Sequence, residues 1–221
     1  MRKRIVVLWI SCAIACWGVD FQGKVLDAKG LPVSGATVIV AVSSIDGPVK
    51  AAITWTAQSA PDGTYKVPGL AAGPYVVCAS PTTTSLLDSC SWEPTQQIVR
   101  LASGSPTVTT QLKTSALLSI RVDDAAGLLA AAASGGQTRV LVFGVQGPMG
   151  FNGASHISSD ATGHNFVLPV PPAVPLKFVV SGQHLSVKDA TGTPVSAAPA
   201  IPLNLTAGQT MLLHYSLSAA P

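Results

Sequence analysis

The chain has 221 residues, 48% of them hydrophobic and only 10% charged, a composition too apolar for a disordered polypeptide. Its formal charge of +3 vanishes once three basic residues near the N-terminus are set aside, which leaves ten Lys plus Arg against ten Asp plus Glu. That balance leaves no basic track for nucleic acid and no acidic field for cations.

The first nineteen residues read as a signal peptide. Arg2, Lys3 and Arg4 form a positive n-region, Ile5 to Ala13 a short apolar h-region, and Ala13-Ile14-Ala15 a small-x-small cleavage site. The apolar stretch falls well short of the roughly 20 residues that span a bilayer, so no transmembrane span is expected after leader removal. Cleavage after Ala15 would place Cys16 first and make it a candidate lipid anchor, although Ala13 stands where lipobox patterns carry Leu. Export also suits the cysteines. Cys78 and Cys90 enclose a Ser/Thr/Pro-rich stretch and are expected to close a disulfide in an oxidising compartment.

Beyond the leader, short β-branched runs alternate with Gly/Pro/Asp turns at sandwich spacing. Strands are predicted at Phe21 to Leu26, Thr37 to Val42, Ala51 to Ala57, Thr64 to Val67, Tyr75 to Ala79, Gln97 to Leu101 and Thr107 to Lys113. Ser43 to Val49 is a predicted loop, and Pro61-Asp62-Gly63 a strong turn, since Pro presets φ and Gly accepts positive φ. A second set begins near Ser115. It comprises Leu117 to Val122, Gln137 to Val145, Asn165 to Val170, Leu176 to Ser181, Leu185 to Lys188, Pro199 to Leu205 and Met211 to Leu217. Ala125 to Ala133 reads as a loop or a single helical turn, and Asp160 to Gly163 as a turn. The expected fold class is therefore all-β, with two tandem Greek-key β-sandwich modules at residues 20–114 and 115–221.

Two internal echoes accompany this plan. Ser59 to Pro68 resembles Ser158 to Pro169, each an Asp/Gly turn launching a strand that carries an aromatic and ends at proline. Val25 to Ala36 and Val187 to Ala198 share V-x-D-A-x-G-x-P-V-S-x-A, out of register with a simple duplication, which reads as one turn solution used twice.

The first module carries G-x-V-x-D-x-x-G-x-P-V-x-G-A-x-V at Gly23 to Val38, D-G-x-Y at Asp62 to Tyr65 and L-x-x-G-x-Y-x-V at Leu70 to Val77. Together these resemble the carboxypeptidase regulatory-like domain, whose fold is a transthyretin-like sandwich. The resemblance implies a non-catalytic accessory module of exported proteins. The second half resembles no family firmly and defaults to an immunoglobulin-like or second transthyretin-like sandwich.

Catalytic patterns are absent from the sequence. It has no G-x-S-x-G, S-x-x-K, H-x-H or H-E-x-x-H, and Glu93 is its one glutamate. His156, His164, His184 and His214 are expected as scattered surface or core residues, with His156 and His164 meeting only if a hairpin joins them. Asp123-Asp124 reads as a turn cap, because neighbours on a strand point to opposite faces. No enzyme activity, cofactor or metal is expected. The expected function is an exported structural or protein-interaction module of the bacterial cell envelope, periplasmic, surface-exposed or secreted, with an envelope protein or polysaccharide as partner. The alternative is a carbohydrate-binding module, with Trp55 and Trp92 as candidate ligand contacts.

Overall fold

The computed structural model describes residues 18–42, 53–93, 97–102, 107–129, 139–147, 150–195 and 201–220. Residues 1–17 of the predicted leader, Cys16 among them, and the predicted loop at 43–49 lie outside these residues, whereas Val19 already opens the first strand. The described chain is all-β apart from one helical turn.

In the first half, alternation sets the inner face. Strand β1 (Val19–Leu26) turns Phe21, Gly23 and Val25 inward and Gln22 and Lys24 outward. It lies between β4 (Thr64–Leu70), antiparallel, and β7 (Thr107–Gln111), parallel. The facing sheet runs β3-β2-β5-β6, from Thr54–Gln58, Thr37–Val42, Gly73–Ser80 and Gln97–Leu101. Between them lie Phe21, Val38, Val40, Tyr65, Tyr75 and Val77, each of which stabilises the fold by about 1.5–3 kcal/mol through burial. Gly23 is obligatory here: a Cβ would stand 2.2 Å from the Val108 carbonyl oxygen and 2.4 Å from the Tyr65 hydroxyl.

The second half repeats the plan. β8 (Ala116–Asp123) lies between β12 (Gly163–Val170), antiparallel, and β16 (Thr210–Ala219), parallel. With β11 (Ser155–Asp160) and β14 (Leu185–Asp189) at the edges, this makes a five-stranded sheet ordered β11-β12-β8-β16-β14. The facing sheet runs β10-β9-β13-β15, from Gly150–Gly153, Val140–Gly147, Leu176–Gln183 and Ile201–Leu203. Phe143, Phe178 and Tyr215 stack at its centre, with ring centroids 5.6–6.5 Å apart.

In each half the strand launched by the Asp/Gly turn, β4 or β12, pairs with the first strand, so the Ser59 and Ser158 echoes occupy equivalent places. The other echo is one turn used at two different places. Asp27 Oδ1 accepts from the Lys29 and Leu31 N–H groups, and Asp189 Oδ1 from those of Thr191 and Thr193. Gly30 and Gly192 follow with positive φ. The first sits at the end of a central strand and the second at the end of an edge strand, which explains the broken register. β10 and β11 are additions to the predicted elements, as is helix α1 (Ser89–Trp92).

Candidate functional site

Among the described residues, the segment from Ser80 to Glu93 departs most from plain sandwich geometry, carrying the single helical turn. It leaves β5, crosses towards the second half, and is tied down at both ends. The Cys78–Cys90 disulfide is present, with Cα atoms 5.0 Å apart. Asp88 caps α1, its Oδ1 accepting from the Cys90 N–H at 2.8 Å, while its Oδ2 accepts from the Ser80 hydroxyl at 2.9 Å. The buried Ser89 hydroxyl donates to the Ala79 carbonyl and accepts from the Ala79 N–H. Backbone bonds from Leu87 to Lys113 and from Ser115 to Ser85, with the Ser115 hydroxyl donating to the Thr84 carbonyl, fasten the segment to the chain entering β8.

This anchoring delivers Leu87 and Trp92 into the core of the second half, beside Leu118, Phe143, Leu176 and Phe178. Trp92 is 6% exposed, and a Cβ on Gly147 would stand 2.8 Å from its ring, so only glycine leaves room for the indole. Trp92, expected as an exposed ligand contact, is thus largely buried, though it also lines the cleft beside this segment. Trp55 is half-buried on β3 and meets Tyr75 edge-on at 5.9 Å. The two tryptophans belong to different cores and do not converge.

A cleft of about 360 Å³ opens beside this segment, between Ser80–Trp92 on one wall and Asn152–Pro169 on the other. Thr82, Thr83, Thr84 and Ser91 line one side of it and the exposed Ile157 the other. A smaller cleft of about 240 Å³ lies near Asp123, Asp189 and His214.

The outward face of the five-stranded sheet carries the densest charge. Arg121 grips Asp160 through both terminal nitrogens, at 2.6 and 2.9 Å, and reaches Asp123 at 3.2 Å through Nε. Those bonds hold the Arg121 guanidinium well above its ordinary range. Asp160 is held well below the usual carboxylate range, first by Arg121 and then by the N–H and hydroxyl of Thr162. Asp123 is lowered first by His214, whose Nε2 stands 2.7 Å from Oδ2, and then by Arg121.

Asp124 does cap a turn, accepting from the Leu128 and Leu129 N–H groups at 2.7 and 2.9 Å. It also does more. Its fully buried carboxylate stands 3.5 Å from His164 Nε2, His164 Nδ1 lies 2.8 Å from Ser159 Oγ, and Ser159 Oγ lies 2.8 Å from His156 Nε2. The β11–β12 hairpin thus brings His156 and His164 together, with ring centroids 5.8 Å apart. The Asp124–His164–Ser159 order is that of an acyl-transfer triad, but Ser159 sits exposed on an edge strand and lines neither cleft. Among the described residues, no three or more His, Cys, Asp or Glu side chains converge as a metal cluster.

No family model matches the chain, and no curated protein matches it. Similar solved structures include a minor pilin of Streptococcus agalactiae (12% identity, TM-score 0.40, covering 91% of this chain and 97% of that one). A putative adhesin from Bacteroides ovatus shows 9% identity and a TM-score of 0.39, covering 88% and 87%. The Bacillus anthracis TIE protein shows 12% identity and a TM-score of 0.35, and the shared region spans 89% of this chain but only 34% of that one. TM-scores of this size identify no relative and transfer no ligand or assembly.

Proposed function

We propose that the chain is an exported, non-catalytic structural or protein-interaction module of the bacterial cell envelope. One observation carries the reading: the segment from Ser80 to Glu93 spends its disulfide, its helix cap and its tryptophan on joining the two sandwiches. A connection of that kind suits load-bearing or display. The polar side chains on the sheet face pair across strands, Arg121 with Asp160 and His214 with Asp123, which favours structure over substrate handling. Among the described residues, no helix is long and apolar enough to cross a membrane.

The same reading takes residues 1–19 as a leader, keeps Cys16 as a candidate lipid anchor, and treats residues 20–114 as a carboxypeptidase regulatory-like module. The last point is supported by the Asp27–Gly30 and Asp62–Gly63 turns and by Tyr65 and Tyr75 in the core. An envelope protein is the expected partner. Trp92, the candidate sugar contact, lines the cleft but is only 6% exposed, which leaves little ring face for stacking on a sugar.

The test is fractionation of the native host followed by cross-linking of the expressed full chain. Recovery with envelope material, a shortened N-terminus and a reproducible protein adduct are expected. Recovery in the cytoplasm with an intact N-terminus would overturn the proposal. So would saturable polysaccharide binding without any protein adduct.

A further inference from the structure

The geometry points to a second feature, independent of that reading: His156 and His164 form a two-imidazole site for a borderline divalent transition metal such as Zn²⁺, Ni²⁺ or Cu²⁺, with Asp124 positioning His164. Two nitrogens from different rings, His156 Nε2 and His164 Nδ1, aim at one point from 2.8 Å each, the point now held by Ser159 Oγ. Zn–N bonds are about 2.0–2.1 Å long, so modest side-chain rotation closes both rings on an ion once the small hydroxyl turns aside.

Asp124 makes His164 suited to this role. A carboxylate accepts only, so in the tautomer that turns the Nε2 proton towards Asp124, 3.5 Å away, the lone pair on Nδ1 faces Ser159. A metal-ligating histidine ordinarily gives its other ring N–H to such a carboxylate, which fixes the tautomer and raises the basicity of the ligand. The Asp124 side chain is fully buried and held by two backbone N–H groups, so it is a fixed support. In that tautomer Ser159 donates to His164 Nδ1 and accepts from His156 Nε2–H, and an ion at His156 Nε2 requires that ring's proton to sit on Nδ1.

The surroundings select the class of ion. His156 is braced edge-on against Phe166 at 5.3 Å. Arg121 lies on the opposite face of the sheet, one residue from the inward Val122. Two imidazoles without a direct carboxylate ligand suit Zn²⁺, Ni²⁺ and Cu²⁺ rather than the oxygen-seeking Ca²⁺ or Mg²⁺. His156 and Ser159 are exposed, so water fills the remaining positions.

Calorimetric titration of the full chain with ZnCl₂ tests this, with CaCl₂ as the control. One saturable zinc site is expected, weakened at least tenfold in His156→Asn and in His164→Gln and unchanged in His214→Gln and His184→Gln. Asp124→Asn should weaken zinc binding about 10–100-fold. His156→Asn is an exposed edge-strand change that leaves the core intact, so it remains informative if Asp124→Asn fails to fold. The absence of saturable zinc uptake would overturn the proposal, as would uptake equal in wild type and His156→Asn, which would place the ion elsewhere, for instance on Cys12 or Cys16.

Discussion

The two sandwiches share a plan but not a way of completing their cores. The first closes on its own residues, with Phe21, Tyr65 and Tyr75 supplied by β1, β4 and β5. The second borrows Leu87 and Trp92 from the segment that follows β5. The first half also has its tyrosines and disulfide but no histidine, whereas all four histidines and the Arg121 network lie in the second. Duplicated architecture thus does not imply equal autonomy: one half should fold without its neighbour's help, while the other depends on a loop from its neighbour.

The sharpest way to break the comparison is Trp92→Ala. Removing a buried indole should cost about 3–5 kcal/mol, lost from the second half while the first holds. Urea unfolding followed by residue-resolved NMR would show it, and equal loss in both halves would refute the asymmetry. Replacing Cys78 and Cys90 together by serine should cost about 3 kcal/mol, the chain-entropy value for a loop of this size. A smaller change would mean that Asp88 and Ser89 alone hold the segment.

High pH should affect the two halves alike. Burial pushes Tyr65 up to about 12, slightly offset by Thr110, and pushes Tyr215 to about 12 with help from the Asp189 carboxylate. A raised tyrosine pKa means the native state holds its proton longer than the unfolded chain. That stabilisation is complete below pH 10 and lost as pH climbs from about 10 to 12, at roughly 3 kcal/mol per residue. Tyr65→Phe and Tyr215→Phe should each flatten the alkaline limb of a stability-against-pH curve by a similar amount. The smallest effect belongs to Arg121→Ala. Freed of its partner, Asp160 titrates nearer its ordinary range, so the stability its lowered pKa contributes shrinks at neutral pH, slightly for so exposed a pair, and the acid limb of the same curve flattens.

Much of this was legible in the sequence where alternation and turn chemistry were strong. β1, β2, β4 and β8 lie close to their predicted bounds, and the Asp62–Gly63 and Asp160–Gly163 turns sit where predicted, because each core strand has one buried face. β11 was missed because all six of its residues are exposed at a sheet edge and carry no inward period. β10 was missed because Gly150 and Gly153 hide a short strand. The histidine pair had a readable cue: a hairpin closed by Asp160–Gly163 sets Ser159 opposite His164. The Asp124 contact had none, since it depends on where the chain turns after β8. Nor could composition show that a Ser/Thr-rich disulfide loop would end in a tryptophan buried in the other half.

The most direct measurement is hydrogen–deuterium exchange on the oxidised and the reduced chain. If the Cys78–Cys90 segment completes the second core, reduction should speed exchange in β8, β9 and β13, far along the chain from the cysteines, while β1 and β4 keep their protection. Faster exchange confined to residues 78–93 would contradict that coupling and leave two sandwiches joined only by their linker.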